Sequence, residues 1–391
     1  MPALNMPLPD ALARIRSERL SHRLQSEIAR AGPIPFSRYM DWVLYAPKLG
    51  YYCANADLFG NAGDFVTAPE ISPLFARCIA RLITEVLGEL DADEVVEVGA
   101  GSGIMAADLL QALQAGQHPV RRYTILEPSA ALRRRQKKTL AARVPSLAQR
   151  VSWLDRLPRP DFRGVILANE VLDAMPASRF RVMGDGVGEW HVTWESDRFV
   201  WTLAPPSDPV LEQAIATIQR DLGQPLSQGY DSEVNLRHTP WVRAMAQRLS
   251  AGLMLLIDYG YGRREYYHPQ RDTGTLVCYY RHVAHDDPLL WPGLQDISVH
   301  VDFTSIAEAA VANGLHIACF TTQASFLLAT GLTDMLAEAR SNWARYRDGV
   351  RQAKRLLLPG EMGELIKVMA LTRGIASSLQ GFDWHDLRNR L

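Results

Sequence analysis

The feature that most constrains this chain is the short β-branched run Val95-Val96-Glu97-Val98, which leads without a break into Gly99-Ala100-Gly101-Ser102-Gly103 and then into an apolar stretch beginning at Ile104. β-Branched residues favour an extended strand, and the apolar stretch after the glycines has helical spacing. Glycines between a strand and a helix let backbone N–H groups come close to a ligand, and a helix start suits a carboxylate or a sugar edge. A strand, glycine loop and helix of this kind point to an open α/β sheet that binds its ligand at the strands' C-terminal ends, although a lone glycine loop is weak evidence.

The same rhythm continues. Strands are predicted at Glu94–Val98, Tyr123–Leu126, Val151–Leu154, Gly164–Ala168, Leu253–Ile257, Leu315–Phe320 and Leu365–Thr372, with helices over Ile104–Ala115, after Glu127, and around Thr333–Leu356. Short apolar runs alternating with helical patterns indicate parallel strands joined by crossover helices. The expected fold is a Rossmann-like α/β domain with a mostly parallel seven-stranded sheet, helices on both faces, insertions and an N-terminal helical extension. We divide the chain into an extension with a cofactor-covering loop at 1–72, a core at 73–375 and a tail at 376–391. Insertions fall at about 178–240, 259–305 and 321–362. The first contains a predicted β-hairpin around Gly184 to Gly188 bearing Trp190, Trp194 and Trp201, which either cover the sheet's own core or form a docking surface.

Composition narrows the function. Of 391 residues, 47% are hydrophobic and 22% charged, as in an ordinary folded protein. With 42 basic and 43 acidic residues the net charge is −1, so no global field recruits nucleic acid or an anionic membrane. Cys53, Cys78, Cys278 and Cys319 are far apart and form no CxxC pair, which argues against a zinc knuckle or disulfide framework. No apolar stretch reaches the length of a membrane span. The Arg-rich opening segment resembles a transit sequence in part, but Asp10, Glu18 and Glu27 interrupt its positive face, so it reads as a plain helix. The expectation is a cytoplasmic protein with no stable nucleic-acid or membrane partner, no metal, and a homodimer as the candidate assembly.

The dinucleotide fingerprint GxGxxG needs its third glycine at the position of Ile104, whereas here it falls at Gly103. That spacing favours S-adenosylmethionine over a nicotinamide dinucleotide. Glu127, about two dozen residues on, ends the next strand, where a carboxylate can accept both hydrogen bonds of a ribose diol; its bland alternative is a helix cap before Pro128 and Ser129. Asp155, after the third strand, is a candidate acceptor for an adenine amino group or a surface turn. After the fourth strand stands Asn169-Glu170-Val171-Leu172-Asp173. Asn169 can hold the cofactor's amino acid end or the acceptor. Glu170 and Asp173, three apart, would project from one face of a helical turn as a paired carboxylate site for a guanidinium, while Asp173 alone could cap a turn. Thr67 and Glu70 have capping-box spacing before Pro73. Arg281-His282, His285 and His300 raise a weak metal reading, and Arg133-Arg134-Arg135-Gln136-Lys137-Lys138 a weak nucleic-acid one; a hydrogen-bonded loop and a solvated helix face explain the same residues.

Six motifs occur in one order: Gly32 to Met40, Gly50-Tyr51-Tyr52, Gly63-Asp64-Phe65-Val66-Thr67-Ala68-Pro69-Glu70-Ile71-Ser72, Asn169 to Pro176, Asp258-Tyr259-Gly260-Tyr261 with Tyr280-Arg281-His282, and Asp296 to Thr304. Together they resemble the MidA family of class I methyltransferases, across about residues 30 to 375. That family includes the mitochondrial complex I assembly factor known as a protein arginine methyltransferase. The resemblance implies a loop from Gly63 to Ser72 closing over S-adenosylmethionine and N-methylation of a protein arginine. Alternatives are a non-catalytic assembly chaperone that keeps the cofactor fold, or a methyltransferase acting on a small molecule or RNA. The candidate cofactor-binding residues are Thr67, Pro69, Glu97, Gly99, Gly101, Gly103, Glu127, Asp155 and Asn169; the candidate catalytic residues are Glu170, Asp173, Asp258 and His300.

Overall fold

The computed structural model describes residues 6–54, 66–115, 120–376, 379 and 385–391. The chain separates into two compact units, each discontinuous in sequence. Val66–Leu172, Thr239–Gly260 and Phe303–Leu391 form a sheet unit, and Met1–Phe65, Asp173–His238 and Tyr261–Asp302 form a second unit. This differs from the expected extension, core and tail, because the N-terminal extension and two insertions share one core. Leu20, Leu24 and Ile28 of the helix Ala11–Ala31 are buried in one cluster with Val192, Phe199, Cys278 and Ile297.

In the sheet unit the strands are β1 (Glu94–Val98), β2 (Arg122–Leu126), β3 (Val151–Leu154), β4 (Phe162–Asn169), β5 (Leu249–Tyr261), β6 (His316–Thr322) and β7 (Ile366–Arg373). They follow one another in the order β6-β7-β5-β4-β1-β2-β3. From β5 to β3 every neighbour is parallel, and β7 runs antiparallel to both β5 and β6. All seven predicted strands are present. β1 and β4 are buried along almost their whole length, as parallel strands covered on both faces must be. Gly252 of β5, at φ 141°, lies beside Gly164 of β4, and a Cβ on it would come within 1.9 Å of the Gly164 carbonyl oxygen, so the two strands meet through bare backbone.

Three helices matter to the site: α1 (Pro73–Leu90), α2 (Ile104–Gln114) and α3 (Ala130–Arg143). α1 is capped by Ser72, whose hydroxyl accepts from the Leu74 N–H at 3.2 Å, and has Pro73 in its first turn. The expected Thr67–Glu70 capping box does not form: Thr67 precedes the short helix Ala68–Ile71 with no side-chain cap bond. The helical segment before β7 divides into Leu332–Glu338 and Trp343–Leu357.

In the second unit the predicted hairpin is present. Ser178–Met183 pairs antiparallel with Gly186–Glu195 through Met183 and Gly186, and Arg198–Ala204 adds a further strand to form a meander. The tryptophans are partly buried, and Trp194 and Trp201 pack against the unit's own core. Trp190 donates to Asp231 Oδ1 at 2.7 Å, Trp201 packs on Phe36 at 5.1 Å between ring centroids, and Trp194 packs on Phe199 at 4.8 Å. A separate three-stranded sheet places Val277–Tyr280 between Val283–His285 and Asp296–Ser298.

Candidate active site

Strand register builds the site. Val98 pairs with Leu126 and Leu126 with Leu154, so β1, β2 and β3 end in one row and release Gly99, Glu127 and Asp155 side by side. Val98 also pairs with Ala168, and Asn169 with Ile257, which brings Asn169, Glu170 and Asp258 to the same edge of the sheet. This edge is where an open α/β sheet takes its ligand.

The glycine loop has left-handed backbone at Gly99, Gly101 and Gly103, with φ of 64°, 50° and 81°. A Cβ on Gly99 would come within 3.1 Å of Val171 Cγ2, and one on Gly103 within 3.0 Å of Gln136 Cα. Only glycine adopts this conformation without strain while leaving that space open. Ser102, inside the loop, donates its hydroxyl to Glu70 Oε1, which fastens the Ala68–Ile71 turn to the glycine loop and explains why Glu70 does not serve a cap. Thr67 and the buried Pro69 lie at the start of this turn; Gly63, Asp64 and Phe65 of the expected covering loop lie outside the described residues.

Glu127 is buried, and burial pushes its carboxyl above the ordinary value. Oε1 accepts from the Ser129 N–H at 2.9 Å, and Oε2 from Gln136 Nε2 at 3.0 Å. Ser129, not Glu127, is the N-cap of α3, accepting from the Leu132 N–H. Asp155 is exposed in a bend. Glu97 is fully buried; Tyr123 donates to its Oε2 at 2.7 Å, and burial drives its carboxyl up to about 7.

Asn169 is 8% exposed and gives its amide nitrogen to Glu170 Oε1 at 3.2 Å. Glu170 itself has φ 51°, a left-handed backbone that is unusual for a residue with a side chain. The expected helical turn from Glu170 to Asp173 does not form, so the two carboxylates are not a helical pair. The cause is Asp258, 1% exposed, whose Oδ2 accepts from the Val171 and Leu172 N–H groups at 3.0 and 2.8 Å and whose Oδ1 accepts from Tyr259 N at 2.9 Å. A carboxylate engaged by three backbone donors anchors this loop. Asp173 belongs to the second unit, where its carbonyl accepts from the Val299 N–H. His300, also there, packs its ring 5.4 Å from Tyr261, and its backbone N–H donates to Thr275 Oγ1.

Three residues escaped the sequence reading. Gln136 and Arg133 belong to the basic run on α3 but turn inward: Gln136 is fully buried, and Arg133 donates to the carbonyls of Glu127 and Leu154. In the second unit, buried Asp296 accepts from Tyr52 OH at 2.6 Å and Ser298 Oγ at 3.0 Å. No group of three or more His, Cys, Asp and Glu side chains arranged to hold a metal occurs among the described residues.

The arrangement fits S-adenosylmethionine on its own chemistry. The glycine cradle admits close backbone approach. Among the described residues Asn169 Oδ1 is a buried acceptor with no hydrogen-bond partner, at the edge where an amino group would be presented, and Glu97 Oε1, one residue inside the end of β1, is another.

The fold and this row of residues define a class I S-adenosylmethionine-dependent methyltransferase. A family of S-adenosyl-L-methionine-dependent methyltransferases matches residues 78–321, and the chain belongs to it, the MidA-like family that its motifs resemble. Over 99% of its length the chain superposes, with a TM-score of 0.94 and 43% identity, on all of a Burkholderia thailandensis protein whose crystal structure holds S-adenosyl-homocysteine. The Drosophila melanogaster protein arginine methyltransferase NDUFAF7 homolog, mitochondrial, is 27% identical across 95% of this chain and 89% of its own. Protein arginine methyltransferase NDUFAF7, mitochondrial, of Mus musculus is 31% identical across 73% of this chain and 68% of its own. The expected cytoplasmic location is overturned by these relatives, which are mitochondrial by name. No helix among the described residues is long and apolar enough to cross a membrane.

Proposed function

We propose that this methyltransferase transfers a methyl group to a guanidinium nitrogen of arginine in a protein substrate. The observation that carries the proposal is the end of β4, where a strained left-handed Glu170 presents its carboxylate beside the buried Asn169 amide. Backbone strain of this kind costs about 1–3 kcal/mol and persists where function needs the geometry. A carboxylate matches the forked donors of a guanidinium, which a neutral acceptor hydroxyl would not need. Relatives named as protein arginine methyltransferases point the same way.

In this reading the glycine loop, Glu97, Glu127 and Asn169 hold S-adenosylmethionine, which supplies an electrophilic methyl group. Thr67 and Pro69 cover it from the turn that Glu70 ties to Ser102. Asp258 holds the loop that aims Glu170. Glu170 orients the guanidinium and takes the proton that leaves nitrogen as the new C–N bond forms, so positioning and electrostatics supply most of the rate.

The test is transfer of labelled methyl groups from S-adenosylmethionine into protein, followed by acid hydrolysis. Label in methylarginine supports the proposal, and label confined to nucleic acid, metabolites or other amino acids refutes it. Glu170→Gln should abolish transfer while leaving S-adenosyl-homocysteine binding within about threefold, since one uncharged hydrogen bond changes affinity by well under a factor of ten.

A further inference from the structure

We infer that Gln136 is a positioning residue for the cofactor, setting the direction in which the Glu127 carboxylate faces a ribose diol. The inference rests on the reading of Glu127 as the ribose acceptor. Gln136 stands in the most basic stretch of the chain, where a solvated face is expected, yet its side chain is fully buried. Its amide nitrogen donates to Glu127 Oε2 at 3.0 Å and to the Gly101 carbonyl at 3.2 Å, and its amide oxygen accepts from Trp153 Nε1 at 2.8 Å. One side chain therefore ties together the loop after β1, the end of β2 and β3.

The hydrogen bonds at this place fit a side-chain amide. The position calls for two donors on one side and an acceptor on the other, which an amide has; a carboxylate cannot donate and an ammonium cannot accept. The backbone beside it is equally specific, because a Cβ on Gly103 would press on Gln136 Cα at 3.0 Å and Cβ at 3.3 Å. The last torsion of a glutamate is a broad, soft rotation. At Glu127 it is fixed from both ends, by Ser129 N–H on Oε1 and by Gln136 on Oε2. A diol needs two acceptor oxygens in one fixed plane, so loss of the Gln136 anchor should cost recognition of the hydroxyl pair and little else. Arg133, which holds the Glu127 carbonyl, would keep the strand end in place.

The experiment titrates S-adenosyl-homocysteine and its 2′-deoxyribose analogue into the wild type, Gln136→Met and Glu127→Ala, with Gln136→Glu as a second variant in case Gln136→Met does not fold. Gln136→Met keeps volume and removes every hydrogen bond; Gln136→Glu keeps the acceptor for Trp153 but sets a carboxylate against a carboxylate. The wild type should prefer the parent ligand by about tenfold or more, the worth of a hydrogen bond to a charged group. Both Gln136 variants should lose most of that preference, with affinity for the deoxy analogue changed by less than about threefold, well under the effect of one full hydrogen bond. An undiminished preference in the Gln136 variants, alongside its loss in Glu127→Ala, overturns the inference. Equal weakening of both ligands also overturns it, since that is what a merely structural residue would give. A preference that survives Glu127→Ala removes the reading of Glu127 itself, and the inference with it.

Discussion

At the strand ends of the sheet unit and beside Tyr52 in the second unit, buried carboxylates are held by different means. In the sheet unit Asp258 rests on the N–H groups of Val171, Leu172 and Tyr259, and Glu127 rests partly on Ser129 N–H, so the backbone of nearby strand ends supplies the donors. In the second unit Asp296 takes hydrogen bonds from Tyr52 and Ser298, and Asp231 from Arg181 and Trp190, so side chains supply them. Backbone donors cannot be mutated away and stay in register with the strands. Side-chain donors can be exchanged one at a time by substitution.

That contrast can be broken by substitution. Asp258→Ala leaves three backbone N–H groups without their acceptor and should cost about 3–5 kcal/mol of unfolding free energy, read by urea denaturation, with methyl transfer lost as the Glu170 loop relaxes. A cost below about 1 kcal/mol would mean the loop does not depend on it.

Glu97, also in the sheet unit, is held by a side chain and gives the second prediction. Its folded pKa of about 7 lies above the ordinary value of 4.5. The folded state therefore binds the proton more tightly, so the group's stabilising contribution is complete below about pH 4.5 and is lost as pH rises through about 7. The span corresponds to about 3 kcal/mol. Glu97→Gln should flatten the stability profile across that window; an unchanged slope would assign the titration to another group.

Tyr52→Phe is the mildest change, removing one donor from Asp296 and costing about 1–2 kcal/mol. It should leave S-adenosyl-homocysteine affinity untouched. A fall in affinity would mean that the Tyr52–Asp296 pair bears on cofactor binding.

Much of the sheet unit was legible because its signals are local. The Val95 to Gly103 stretch contains its own strand, turn and helix start, and Glu127 and Asn169 follow directly from strand ends. What was not legible depended on distance or direction. Gln136 hides among five basic residues because a charge run does not reveal which side chain points inward. Tyr52 and Asp296 are 244 residues apart, so nothing in either motif marks them as partners. Glu170 and Asp173 were expected on a helical face because spacing alone does not report backbone conformation, and φ 51° at Glu170 ends that periodicity.

The most direct test of the account is calorimetric titration of S-adenosyl-homocysteine into the full chain and into Gly101→Val, which places a β-branched residue at φ 50° in the cradle. The account predicts one site per chain in the wild type and affinity at least about a hundredfold weaker in the variant, since left-handed strain of about 1–2 kcal/mol adds to lost backbone approach. Equal binding by both proteins would contradict it and place the cofactor somewhere other than the end of β1.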